Sequence, residues 1–205
     1  DDNGLILPPN LAPIQVVIVP IYKTEEQRSQ IAEKANMFKS QLSEKGFAVH
    51  FDNRDTHKPG WKFAEYELKG VPVRVAIGPK DLENNTVEIA RRDTGEKAFI
   101  NMDSILTHIE SLMPDIHNKI YDKALNFRKE NTRFADSYDE FKDILDKKGG
   151  FVLAHWDGTV ETEAVIKDET KATIRLIPIE NNVEEGKCIY SGKPSKQRVV
   201  FAKAY

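Results

Sequence analysis

The chain has 205 residues, with 30 Lys and Arg against 33 Asp and Glu, a net charge of −3 and a 40% apolar share. That length holds one large or two small domains, and the balanced charge excludes a broad basic field, so any nucleic-acid contact must be local. A single cysteine excludes an internal disulfide framework and fits a reducing cytoplasm; no signal peptide is visible, and no apolar run reaches the roughly 20 residues that a membrane-spanning helix needs.

The chain opens on Asp1-Asp2-Asn3 without an initiator Met, which reads as a piece of a longer protein. Residues 1–13 carry Gly4, Pro8, Pro9 and Pro13 and read as an extended linker. Gln15–Ile21 is an apolar run with the pattern of a buried strand. Thr24 with Gln27 three residues on is a capping-box signature. Ile31, Ala35, Phe38 and Leu42 then mark the inner face of a helix, which Gly46 closes. Phe47–Phe51 follows as a strand, so the start predicts a parallel βαβ unit. The loop Asp52-Asn53-Arg54-Asp55 lies at a strand's carboxyl end, where ligands of open α/β sheets collect. That makes it a candidate neighbour of a nucleic acid, but the residues read better as a helix-start turn rich in capping groups, with His57 an exposed loop histidine.

The most informative stretch is residues 60–97. GWKFAEYELKG reads as a short amphipathic helix with Trp61, Ala64 and Leu68 inward, ended by Gly70. Val71, Val73, Val75 and Ile77 alternate with Pro72, Arg74 and Ala76 as a strand does. Gly78-Pro79-Lys80-Asp81 reads as a turn. Thr86–Arg92 and Lys97–Asn101 then form a hairpin through Asp93-Thr94-Gly95. Glu67, Arg74, Lys80, Arg91, Arg92 and Lys97 stand on this frame. One carboxylate beside several cations suits a guanine: the acid accepts from N1–H and N2–H₂, and the cations meet O6, N7 and phosphate. An ordinary surface ion pair and a charged sheet edge fit the same residues.

Beyond this stretch, Ile105, Leu106, Ile109 and Leu112 predict another helix, broken by Pro114. Residues 114–148 read as a helical connection with mixed surface charge, ended by Gly149-Gly150. Residues 149–205 read as a β-rich domain, with strands over 151–155, 173–179 and 198–202 and a helix from Glu161. Residues 187–205 hold five cations and no carboxylate side chain, as a solubilising tail or a contact surface would.

The segment GWKFAEYELKGVPVRVAIGPKDLE resembles the anticodon-binding domain of prolyl-tRNA synthetases of the archaeal/eukaryote-like type. The resemblance runs upstream to GLILPPNLAPIQVVIVPI and downstream to GKPSKQRVVFAKAY. It implies an α/β anticodon-binding domain of class II synthetases over 14–113, with a mixed, mostly parallel sheet flanked by helices. A smaller α+β C-terminal domain follows over 149–205. It further implies that residues 1–13 leave a catalytic domain outside this chain, and that Glu67, Arg74 and Lys97 meet the GG of the proline anticodon, with Lys80 a further match on a guanine or phosphate. Arg91 and Arg92, charged neighbours on the same frame, are read from the residues as additional RNA contacts. Phe63 and Tyr66 are candidates for stacking, and Tyr205 for a contact with the catalytic domain. The implied partners are the tRNA(Pro) anticodon stem-loop and, for the parent enzyme, a second copy. The parent would be a cytoplasmic, ATP- and Mg-dependent ligase acting through prolyl-adenylate, and this stretch alone would be inactive.

Relatives of this type carry four zinc-binding cysteines in the C-terminal domain, as a C-x₄-C pair and a later C-x₂-C pair. Here the matching positions read Asp157, Thr162, Cys188 and Ser191. One thiol, two hydroxyls and a carboxylate do not supply zinc's usual donors, so no zinc is expected. Packing of Trp156 and Tyr190 would then replace the metal's contribution, with Cys188 a small buried residue. The chain shows no phosphate-binding loop and no nucleophile elbow, and its five histidines have no metal-ligand spacing. Two rivals share the fold: an anticodon module of another class II synthetase, and a protein-interaction module without an RNA role.

Overall fold

The computed structural model describes residues 1–179 and 183–204. The chain divides into two compact units, Asp1–Lys123 and Ala124–Tyr205.

The first unit is built on β1 (Val16–Pro20), α1 (Glu25–Glu44), β2 (Val49–Phe51), α2 (Pro59–Leu68), β3 (Val73–Ile77), α3 (Pro79–Asn84), β4 (Thr86–Arg91), β5 (Lys97–Asn101) and, as far as Lys123, α4 (Ile105–Glu130). The sheet order is β2-β1-β3-β4-β5. β1 runs parallel to both β2 and β3, whereas β3–β4 and β4–β5 are antiparallel. The parallel half is the expected βαβ unit; the antiparallel half is the hairpin. Thr24 caps α1 by accepting from Gln27 N–H, while Gln27 Oε1 reaches back to Lys23 N–H. Ile31, Ala35, Phe38 and Leu42 are all buried, as their helical spacing requires.

Alternation along the strands separates two cores. Val16, Ile18, Val73, Val75, Ile77, Val87 and Ile89 face α1 and the buried residues Ile105, Ile109, Met113 and Ile116 of α4. Val17 and Val19 face the other way, onto Tyr66 and Val71, with Phe63 and Ile14 packed at the margin. On this second face the register sets Arg74 opposite Ala90, and Ala90 opposite Lys97. Residues paired across strands share a face, so α2 and a row from Arg74 to Lys97 border one another.

Four expectations need correction. First, Trp61, Ala64 and Leu68 face outward, with Trp61 at 47% and Leu68 at 64% exposure. The buried residues of α2 are Lys62 and Tyr66. Lys62 is accommodated because its Nζ donates to the carbonyls of Asp52 and Arg54 and lies 3.4 Å from Asp52 Oδ1. Second, the Gly78–Asp81 turn is the start of α3, where Asp81 Oδ2 accepts from Gly78 N–H. Third, α4 continues through Pro114; Pro114 and Glu110 are both exposed, so the carbonyl that proline leaves unpaired faces water. Fourth, residues 114–148 are not wholly helical, since they include a strand.

That strand is β6 (Thr132–Ala135) in the second unit. It is followed by α5 (Tyr138–Lys147), β7 (Phe151–His155), α6 (Val160–Thr170), β8 (Ala172–Leu176), β9 (Gly186–Lys187), β10 (Pro194–Ser195) and β11 (Arg198–Lys203). The main sheet is ordered β6-β7-β11-β8, with β6–β7 parallel and the other pairs antiparallel. Its core includes Phe141, Leu145, Val152, Ile166, Val199 and Phe201. Phe141 and Phe201 meet edge-to-face at 5.1 Å. The basic tail is partly built in: Arg198 pairs with Asp136 and Glu184, and Lys203 with Asp146. Among the described residues no helix is long and apolar enough to cross a membrane.

Candidate nucleic-acid interface

A cleft of about 110 Å³ opens between the second half of α2 and the β3–β4–β5 edge. Phe63 and Glu67 line one side, Arg74 and Ala90 the floor, and Lys97 and Gly95 the hairpin side; Asn3 closes part of the rim. Gly95 takes φ +73°, which lets the hairpin turn back tightly beside the cleft.

Arg74 is the central group. It sits on β3, is only 5% exposed, and stacks on Phe63 with Cζ 3.6 Å from the ring centroid. Its Nη1 lies 3.0 Å from Glu88 Oε1, yet the alignment is too poor for a hydrogen bond, and Nη1 has no well-formed partner among the described residues. A buried guanidinium with spare donors is costly unless an acceptor completes it. Glu67 is exposed on α2, and no ion pair or hydrogen bond among the described residues takes up its carboxylate. Lys97 is likewise exposed on β5. The cleft therefore offers a free carboxylate, a free ammonium and an undersatisfied guanidinium around one opening.

The remaining expected site residues stand apart from the cleft or are already engaged. Lys80 is exposed on α3, past the opposite end of β3, and does not line the cleft. Arg91 is held by Asp93 and Asp115, each at 2.7 Å. Arg92 is taken up by Asp1, Gly4 O and Glu67 O. Both arginines touch the cleft with most of their donors already engaged. Tyr205 lies outside the described residues.

Of the two aromatics named from the sequence, Tyr66 is 3% exposed and donates its hydroxyl to Asp52 Oδ2. Burial, with the Asp52 charge beside it, pushes that phenol up to about 12. Phe63 instead lies beneath Arg74. Phe99, 68% exposed, was not expected: it stands two residues beyond Lys97 on β5 and so shares its face. Glu88 was also missed, since only the β3–β4 register brings it to Arg74.

The Asp52 loop is scaffold. Asp52 is 1% exposed and bonds Arg54 at 2.9 and 2.7 Å, and Arg54 also reaches Glu65 at 2.6 Å. Burial would raise the Asp52 carboxyl, but these bonds and the Lys62 charge hold it well below the usual range. His57 is half-buried, stacked 3.8 Å from Trp61, rather than free in its loop.

In the second unit, three of the four positions matching zinc ligands join in hydrogen bonds. Asp157 accepts from Thr159 N–H at 3.1 Å and Thr159 Oγ1 at 2.8 Å. It also accepts from Thr162 Oγ1 at 2.9 Å and Ser191 Oγ at 2.6 Å. Burial opposes its charge, yet the bonds from Ser191, Thr159 and Thr162 outweigh that and hold the carboxyl at about 2. Cys188 is buried. Neutral hydroxyls already donating to one carboxylate are poor zinc donors, and the set does not fit a structural zinc site. Trp156 donates to Thr159 O at 3.1 Å and Tyr190 packs edge-on against Tyr138 at 5.1 Å.

Comparison with known proteins agrees with both units. A family described as "Anticodon binding domain" matches residues 15–112, and one described as "Prolyl-tRNA synthetase, C-terminal" matches residues 138–205. The whole chain is 61% identical to a proline–tRNA ligase of Porphyromonas gingivalis, covering 41% of that protein. It is 58% identical to one of Christiangramia forsetii and 57% identical to one of Amoebophilus asiaticus, covering 42% of each. The chain thus spans about two-fifths of the length of the curated relatives it matches.

Proposed function

We propose, from the match of residues 15–112 to an anticodon-binding family and of residues 138–205 to the C-terminal family of prolyl-tRNA synthetases, that the chain recognises the proline tRNA through the guanines of its anticodon. The observation that carries the reading is the pairing, in one cleft, of the uncommitted Glu67 carboxylate with the undersatisfied Arg74 guanidinium.

Glu67 accepts from N1–H and N2–H₂ of a splayed-out guanine. Arg74, fixed in plane by Phe63, donates to O6 or N7, and Lys97 donates to a guanine acceptor beside it. An adenine offers neither the N1–H nor the N2–H₂, so it leaves the carboxylate unsatisfied. Phe99 gives a neighbouring base an exposed ring to stack on. Lys80 meets backbone phosphate farther along the strand. Arg91 and Arg92 brace the cleft through their internal partners rather than read the RNA.

The activity that follows is the attachment of proline to its tRNA: ATP and proline give prolyl-adenylate and pyrophosphate, and the tRNA 3′ end then takes the prolyl group with release of AMP. We assign this chemistry, with its ATP and Mg, to no residue of this chain, which contributes the choice of tRNA. A second copy of the synthetase and a cytoplasmic setting fit that role.

The test is a titration of a labelled proline anticodon stem-loop and a stem-loop lacking the GG, at several salt concentrations. A preference for the first, with a salt-dependent affinity for both, is the expected outcome. Binding of neither would favour a protein-interaction module.

A further inference from the structure

The segment ahead of the α/β domain is not the loose linker that its prolines and glycine predict. Leu5 N–H donates to Leu68 O at 3.1 Å. Gly4 takes φ +130°, and a Cβ there would stand 2.4 Å from Leu68 Cα, so only glycine lets the segment lie this close to α2. Gly70 is matched to it from the other side, since a Cβ on Gly70 would stand 2.8 Å from Leu5 Cβ. The two chains are therefore fitted to each other at the C-terminal end of α2.

Arg92 joins the two. Its Nη1 and Nη2 meet the Asp1 carboxylate at 2.8 and 2.5 Å, and Nη2 also donates to Gly4 O at 3.2 Å. Its Nε donates to the carbonyl of Glu67 at 3.1 Å. One rigid, planar guanidinium thus binds the segment and the backbone of the residue whose carboxylate faces the cleft. Asn3, carried between Asp1 and Gly4, lines that cleft with Glu67 and Arg74.

We propose that residues 1–5 act as a strap forming the outer wall of the guanine cleft, with Asn3 as a specificity-determining contact and Arg92 as the positioning residue that sets Glu67 against the base. The proposal rests on the guanine reading given above and adds to it. The Asn3 amide offers both a donor and an acceptor, which suits the edge of a base held between Glu67 and Arg74. Selection of the anticodon then depends on chain that lies outside the sheet and its helices.

The test compares the wild-type chain with Gly4→Ala, Arg92→Lys, Asn3→Ala and Glu67→Gln. Each is titrated with a proline anticodon stem-loop carrying GG and with one carrying inosine in place of one G, and thermal midpoints are recorded alongside. Gly4→Ala displaces the strap, and Arg92→Lys cannot bridge Asp1, Gly4 and Glu67 at once. Both, and Asn3→Ala, are expected to reduce the guanine-over-inosine ratio several-fold while the midpoint stays within a few degrees of wild type. A lost midpoint in Gly4→Ala would leave the decision to the exposed Asn3→Ala and to Arg92→Lys. If the ratio is unchanged in the strap variants but falls in Glu67→Gln, the strap has no part in selection and the guanine reading stands. If it falls in none of them, the guanine reading fails and the strap proposal goes with it.

Discussion

The Arg74 guanidinium sits over the Phe63 ring, with Cζ 3.6 Å from its centroid, and lines a cleft without pairing to the Glu67 carboxylate on that cleft's other side. The sequence invites a direct Glu67–Arg74 ion pair; the structure gives Arg74 to Glu88 instead and leaves Glu67 uncommitted. Two groups of opposite charge that do not neutralise each other can both serve a ligand.

The stack makes Arg74 hard to replace. Lys keeps the charge but not the planar fork, and it cannot stack in the same way. Arg74→Lys is expected to weaken the proline stem-loop by about 1–3 kcal/mol, roughly 5- to 150-fold in Kd. Fluorescence titration of the variant with labelled stem-loop checks this; an unchanged Kd would remove Arg74 from the reading set.

Lys80 should behave differently because it stands outside the cleft. Lys80→Ala is expected to weaken all stem-loops alike and to lower the slope of log K against log salt by about 0.7, the value for one phosphate contact on a single strand. Guanine preference should not move. A loss of preference without a change in slope would make Lys80 a base reader instead.

Beneath α2, Asp52 and Lys62 are both almost fully buried, at 1% exposure each. Asp52→Ala removes the carboxylate beside the buried Lys62 ammonium and leaves Arg54 to Glu65, and removing one partner of a buried pair costs about 3–5 kcal/mol. Urea unfolding followed by Trp61 fluorescence in a Trp156→Phe background should record a loss of that order. A loss below about 1 kcal/mol, the scale of an exposed pair, would mean the cluster is effectively solvated.

Asp157 predicts a pH dependence in the second unit. Its folded-state value, about 2, is below the roughly 3.9 of an unfolded Asp. The stabilisation is therefore complete above about pH 4 and is lost as pH falls towards 2. Asp157→Asn should melt below wild type at pH 7, and the two should converge near pH 2. Trp156 fluorescence, read in a Trp61→Phe background, reports this unit; a gap that stays constant across that range would show the carboxylate's charge to be irrelevant.

Legibility followed the kind of information each feature needs. The face Ile31, Ala35, Phe38 and Leu42 was readable because it is apolar and periodic. The inner face of α2 was not: counting apolar residues selects Trp61 and Leu68, whereas the buried position goes to Lys62, whose charge is satisfied by Asp52 and two carbonyls supplied by another segment. Pro114 looked like a stop because the sequence does not say that its missing N–H falls on the wet side of α4. The strand Thr132–Ala135 is only four residues long, two of them polar, and exists through its parallel pairing with Phe151–Ala154, which no local pattern encodes. At the candidate site, Glu67, Arg74 and Lys97 are legible from residue type and resemblance. The contact of Glu88 with Arg74, the place of Asn3 on the cleft and the contacts of Arg92 need strand register and the path of residues 1–5.

The central claim is that the Glu67 carboxylate reads a guanine's donor edge, and a double-substitution cycle tests it most directly. The wild-type chain and Glu67→Ala are each titrated with the proline stem-loop and with the same loop carrying inosine, which lacks the N2 amino group, at one anticodon guanine. We predict that inosine weakens the wild type by about 1–3 kcal/mol and makes no further difference once Glu67 is gone. An inosine penalty that survives in full in Glu67→Ala would contradict the account.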